Sequence, residues 1–258
     1  MGRALLKDWP NTTGPALAKR LAAEATGSYL LFACVVGSGI MGQSLSAGND
    51  GVALLGNSIA TGGILFVLIT MFGPISGAHF NPAVSLVAAS RRELRWSAAG
   101  AYILVQVAGG IAGAWTAHLM FDLPTLQLSV RARTGLGQWA GEALATFGLI
   151  LTIIGTAARR SEWVSSSVAL YIVAAYWFTS STSFANPAIT IARSLSDTFS
   201  GIAPHDVPAF VVAQLVGAAV GAFVGGKLFD GSATSGLGKA GAAETGMPVS
   251  LPAPPRAP

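Results

Sequence analysis

The sequence predicts an all-α membrane protein in which six membrane-spanning helices and two re-entrant half-helices form an inverted repeat. Three observations carry that expectation. Of 258 residues, 52% are hydrophobic and only 10% are charged, against about 25% charged in soluble domains. Apolar runs approaching the roughly 20 residues needed to cross a bilayer recur along the chain. An Asn-Pro-Ala triplet also occurs twice, at Asn81-Pro82-Ala83 and Asn186-Pro187-Ala188, 105 residues apart.

The first two spans are expected at about 19–44 and 52–72. Gly73-Pro74 should close the second, because proline ends helices at or just before itself. The chain then re-enters the membrane with a half-helix at about 81–89. Spans at about 97–120, 138–158 and 164–181 follow, then a half-helix at about 187–196 and a last span at about 206–229. Each triplet reads as a helix start, since asparagine is a good N-cap and proline is favoured at the first helical position. In a chain that repeats itself, two such starts are expected to face each other at the membrane midplane. The 32 glycines, well above an average share of about 7%, suit helices that approach through small residues.

This gives a segment at 1–18, one membrane domain at 19–229 with halves at about 19–120 and 138–229, and a tail at 230–258. The tail is rich in Gly, Ala, Ser and Pro and reads as disordered. The first 18 residues show no cleavable signal pattern. The net charge of +4 is not a nucleic-acid footprint, because the basic residues cluster at the ends of apolar runs. With both termini cytoplasmic, 12 of the 15 basic residues fall inside. Arg131 and Arg133 then lie outside and Arg193 in the second re-entrant loop, which satisfies the positive-inside rule. A multi-pass protein of the inner (plasma) membrane is expected. The single cysteine, Cys34, permits no intrachain disulfide and reads as a small buried hydrophobe. His118 and His205 have no metal-ligand spacing, and no nucleophile–base set, metal cluster or phosphate-cradling loop is recognisable. The expectation is therefore a non-enzyme with no cofactor and no metal.

The halves repeat in detail. Ala22-Ala-Glu-Ala-Thr-Gly27 resembles Ala140-Gly-Glu-Ala-Leu-Ala145, and Gln106 to Ala114 matches Gln214 to Ala222 at the glutamine, two glycines and the last alanine. Three spans per half is an odd number, so the halves must enter the membrane in opposite orientations. With Ser76-Gly-Ala-His-Phe-Asn-Pro-Ala-Val84, the second triplet, the paired glutamates and the paired glutamines on the page, residues 19–229 resemble the aquaporin (major intrinsic protein) family. The resemblance implies an aquaporin-like fold, a right-handed bundle of six tilted helices and two half-helices. It also implies a homotetramer in the lipid bilayer with one pore per subunit.

A pore for a neutral solute must replace part of the solute's hydration shell and still let it leave. Asn81 and Asn186 offer side-chain amides for this, while Pro82 and Pro187 lock the helix starts and Ala83 and Ala188 follow them. Each half-helix start carries roughly half a positive charge, so two facing starts repel cations. Glu24 and Glu142 lie deep in apolar spans, where an ionisable group points to function by default. They are either a proton relay or loop scaffolds whose carboxylates accept backbone hydrogen bonds, and the resemblance favours the scaffold. Gln106 and Gln214 are expected to bridge helices or loops. His79 resembles a family position lining the cytoplasmic half of the pore; its ring can instead bond the loop backbone.

In most of that family an arginine follows the second triplet and forms the narrowest point with an aromatic and often a histidine. Here that position is Ile189, and counting back from the triplets puts the other filter positions at Thr61, Ala174 and Ser183. That set is uncharged and non-aromatic, so a widened, less selective filter is expected; Tyr171, Tyr176 and Trp177 are the aromatics nearby. Arg193 lies about 6 Å beyond Ile189 along the half-helix. It reads either as a vestibule arginine or as the partner of Asp197 at i,i+4. The run Asn186-Pro-Ala-Ile-Thr-Ile-Ala-Arg-Ser194 resembles a bacterial branch associated with arsenic-resistance genes. The expected function is a passive channel for small uncharged solutes: water, glycerol-like polyols, urea, or arsenite and other metalloid hydroxides. The alternatives are a proton-coupled transporter using Glu24, Glu142 or His79, and a structural membrane protein with an occluded pore.

Overall fold

The structure is a computed structural model that describes residues 15–230. Most of the expected N-terminal segment, and the tail beyond residue 230, lie outside the described residues. The helices in chain order are α1 (Leu17–Leu45), α2 (Asp50–Ser76), α3 (Pro82–Ser90), α4 (Trp96–Met120) and α5 (Leu136–Arg159). A short 3-10 turn (Ser161–Trp163) leads into α6 (Val164–Phe178); α7 (Pro187–Ser194) and α8 (Val207–Phe229) complete the chain.

Five helices, α1, α2, α4, α5 and α8, are long and apolar enough to cross a membrane. With 15 residues, α6 spans about 22 Å at 1.5 Å per residue. The 3-10 turn in front of it adds about 6 Å, which brings the pair close to the roughly 30 Å of a hydrocarbon core. This span ends at Phe178 rather than near 181, because Thr179 turns extended and its hydroxyl donates to the Ala175 carbonyl (2.7 Å). A second correction concerns Gly73-Pro74. Helix α2 runs through Pro74 to Ser76 and is closed by Gly77, whose φ of 89° is left-handed and whose N–H donates to the Gly73 carbonyl. Proline in the last turn forfeits one backbone bond but has little helix left to distort.

Helix α1 packs along α4 and α5 along α8, while α2 joins the halves by contacting α1 and α6. The close pairs depend on glycine. A Cβ on Gly109 or Gly113 would run into the carbonyls of Ala25 and Tyr29 on α1, and one on Gly217 or Gly221 into those of Ala143 and Phe147 on α5. These are the glycines of the matched Gln106–Ala114 and Gln214–Ala222 segments, spaced as small-xxx-small pairs that let backbones touch. Both half-helices, α3 and α7, lie between α4 and α8 and bring their N-termini together at the centre.

Candidate functional site

One cavity of about 840 Å³ runs past both triplets. Two helices supply i,i+4 stripes along its wall: Thr61, Leu65, Ile69 and Gly73 on α2, and Val164, Val168, Ile172 and Tyr176 on α6. Charged residues Arg20, Arg91, Glu93 and Asp230 border one mouth; Thr61, Tyr176, Ser183, Ile189 and Arg193 bound the other end.

The two loops that precede the half-helices are near copies of each other. Asn81 and Asn186 are both extended, with φ −155° and −158°, and each caps its own helix. Asn81 Oδ1 accepts from Ala83 N (2.9 Å), and Asn186 Oδ1 accepts from Ala188 N (2.9 Å) and Ile189 N (3.3 Å). Each Nδ2 crosses to the other half: Asn81 donates to the Ala185 carbonyl and Asn186 to the Phe80 carbonyl, both at 2.8 Å. One amide hydrogen of each asparagine is thereby committed, and the other is available to the cavity that both residues line. Residues three and one before each asparagine, Ala78 and Phe80, then Ser183 and Ala185, take left-handed φ values near 50°. Such conformations cost about 1–3 kcal/mol each in non-glycine residues and persist only where the surroundings enforce them.

The enforcing groups are the buried glutamates. Glu24 Oε1 accepts from Ser76 Oγ (2.6 Å) and His79 N (3.0 Å), and its Oε2 from Phe80 N (2.7 Å) and Gln106 Nε2 (2.8 Å). Glu142 accepts from Phe184 N (2.8 Å), Ala185 N (2.9 Å) and Gln214 Nε2. The glutamines also tie down the half-helices, Gln106 through Ser85 Oγ (3.0 Å) and Gln214 through Thr190 Oγ1 (2.8 Å). Both carboxylates are fully buried, and neither lines the cavity. His79 does line it. Its backbone N–H goes to Glu24, its Nδ1 lies 3.0 Å from Ser85 Oγ, and its ring meets Tyr102 edge-on at 5.4 Å. His118, to which the sequence gives no role, is a buried tether between Thr125 O and Ser196 Oγ (2.9 Å each).

At the neck the structure corrects one assignment. Ala174 is exposed on the outer face of α6 and does not reach the cavity; Tyr176, two residues on, lines it and places its hydroxyl 3.2 Å from Thr61 Oγ1. Counting back from the triplet misses this, whereas the stripe from Val164 leads to it. Tyr171 and Trp177 turn elsewhere, to Ala145 O (3.0 Å) and Ser58 Oγ (3.2 Å). Thr61, Ser183 and Ile189 do line the neck, and Ser183 Oγ is buried without a hydrogen-bond partner among the described residues. Arg193 does not pair with Asp197, and the reading in which it faces the solute path stays open. It is 2% exposed, lines the cavity, donates from Nε to the Ser200 carbonyl, and lays its guanidinium 3.3 Å over the Phe184 ring. Asp197 instead accepts from Val130 N (3.1 Å). Phe184, which the sequence reading passes over, carries a second cation: Arg133 lies 4.8 Å over the same ring and donates to the carbonyls of Gly201 (2.8 Å) and Ser181 (3.2 Å). Burial and the neighbouring Arg131 lower the Arg133 pKa to about 10, which leaves it a cation at neutral pH.

The architecture has a counterpart among known families, since the major intrinsic protein family model matches residues 11–183. The chain belongs to the major intrinsic protein family. Among its relatives, aquaglyceroporin AqpS of Rhizobium meliloti (strain 1021) is 57% identical over 202 residues, covering 78% of this chain and 86% of that protein. Nodulin-26 of Glycine max is 30% identical over 215 residues, 80% of this chain and 76% of that one. The solved aquaglyceroporin from Plasmodium falciparum shares the fold, with a TM-score of 0.62 at 19% identity over 84% of this chain and 97% of that one. This member of the family is a multi-pass membrane protein. The proton-coupled alternative draws no support from the relatives or from the glutamates, whose oxygens are occupied by loop donors.

Proposed function

We propose that this chain is a passive, uncoupled channel for small uncharged solutes, with glycerol-like polyols, water, urea and metalloid hydroxides such as arsenite as the solute class. The reading rests foremost on the reciprocal bonds by which Asn81 and Asn186 each donate into the opposite loop. That arrangement fixes two amide donors side by side, facing the apolar stripes of α2 and α6. A solute's oxygens can exchange water for these amides there, while its carbon face meets Leu65, Ile69 and Ile172. The opposed helix starts of α3 and α7 oppose cation entry at the same level. The filter is assigned to Thr61, Ser183, Ile189 and Tyr176. As in the positive-inside reading, the Arg91–Asp230 mouth and both termini face the cytoplasm of a bacterial plasma membrane. The working unit is a homotetramer with one pore in each membrane domain of about 19–229.

Stopped-flow light scattering on proteoliposomes tests the proposal with water, glycerol, urea and arsenite, comparing the parent with Ile189→Arg. The parent is expected to pass glycerol above protein-free vesicles, without saturation and without response to an uncoupler. Ile189→Arg adds a second guanidinium one turn from Arg193 and should suppress the larger solutes more than water. Saturating, uncoupler-sensitive flux would overturn the channel; equal loss for every solute would overturn the filter assignment.

A further inference from the structure

We propose that Arg193 is the specificity-determining cation of the neck, delivered from one helical turn beyond Ile189, and that Phe184 is the residue that positions it; this rests on the channel reading above. Positions 189 and 193 share one face of α7, since residues four apart are neighbours on a helix. Helical side chains lean toward the N-terminus, so an arginine at 193 points back toward the level of Ile189. The stacking contact records that direction: Phe184 precedes the start of α7 at Pro187, yet its ring lies 3.3 Å beneath the Arg193 guanidinium.

Two contacts hold this pose, the Nε bond to Ser200 and the stack on Phe184. Nε donates to the Ser200 carbonyl, and the Ser200 hydroxyl is tied to Val35 O on α1 (3.2 Å). The Phe184 ring is fixed by its own N–H on Glu142 (2.8 Å) and by edge-on packing against Phe210 at 5.2 Å. Arg133 flanks the same ring at 4.8 Å. The terminal nitrogens of Arg193 have no acceptor among the described residues, although the side chain is almost wholly buried and lines the cavity. A guanidinium presents five N–H donors, so those left over after Nε belong to whatever passes the neck. With the Thr61–Tyr176 hydroxyl pair, they form a hydrogen-bonding ring with Ile189 as its apolar side. Such a ring suits small neutral molecules carrying several hydroxyls. The bulk of the arginine also makes the neck narrower than Thr61, Tyr176, Ser183 and Ile189 alone would leave it.

The test is the permeability ratio of ribitol, a five-carbon polyol, to water, measured in proteoliposomes for the parent, Arg193→Met, Phe184→Leu and the double variant. Arg193→Met should raise the ratio at least tenfold. Phe184→Leu keeps apolar bulk but removes the stacking face, and should raise the ratio in the same direction by a smaller factor. The double variant should match Arg193→Met alone, because Phe184 acts through the arginine; independent, multiplying effects would reduce Phe184 to a packing role. If Arg193→Met does not fold, Arg193→Lys replaces it and should raise the ratio as well, since lysine can neither stack flat nor fork. An Arg193 variant that folds and keeps the parent's ratio overturns the proposal. A parent that passes no glycerol overturns the channel reading instead, so the two failures are separable.

Discussion

Glu24→Gln separates a structural carboxylate from a proton-carrying one. The Glu24 oxygens accept four hydrogen bonds, two on each atom, from Ser76 Oγ, His79 N, Phe80 N and Gln106 Nε2. Glutamine keeps one acceptor oxygen and turns the other into a donor that faces two donors. Two buried donors then lose their partner, at about 1–3 kcal/mol each, for a total of about 2–6 kcal/mol. At about 2–4 °C per kcal/mol for a chain of this size, unfolding should fall by something on the order of 10 °C. The same loop carries the left-handed Ala78 and Phe80, so flux should decline along with stability. The assay is thermal unfolding in detergent beside glycerol flux in proteoliposomes. A Glu24→Gln protein that unfolds with the parent yet has lost its flux would refute the scaffold account, in which flux falls together with stability.

Gly217→Ala should destabilise by about 1–3 kcal/mol through overpacking, because its Cβ would meet the Ala143 carbonyl. Gly56→Ala, which faces open space, should not lower the unfolding temperature. Scanning calorimetry of both variants checks the contrast. Asp230→Asn breaks the bidentate pair with Arg91 (3.0 and 3.2 Å). Both partners are partly exposed, so the cost should stay within about 1 kcal/mol. Parent stability should fall slightly at 1 M salt, where screening acts over about 3 Å, and the Asp230→Asn protein should show less of that salt dependence. Thermal melts at two ionic strengths read this out.

Much of the architecture was legible because its signals are local. An asparagine followed by proline dictates a helix start, and α3 and α7 begin at Pro82 and Pro187 as expected. Charge inside an apolar run demands partners, and Glu24 and Glu142 find them in the loops. Features that escaped depend on geometry a residue count does not carry. Ala174 was reached by fixed offset from the second triplet, whereas the wall of the cavity follows the i,i+4 stripe to Tyr176. Arg193 was placed by axial rise alone, which ignores the backward lean of helical side chains. Pro74 was taken as a stop although proline is tolerable in a final turn, where α2 has only Ile75 and Ser76 left to run.

The exchanged amides of Asn81 and Asn186 make the centre of the molecule a seam. Each half's loop is completed by a hydrogen from the other half, so separating the loops forfeits both bonds together. With Glu24 and Glu142 bracing the loops from behind, the waist has no slack with which to act as a shutter. Any control over traffic must therefore work at the rims, where a partly exposed side chain such as Arg91 can move without unpicking the stitching.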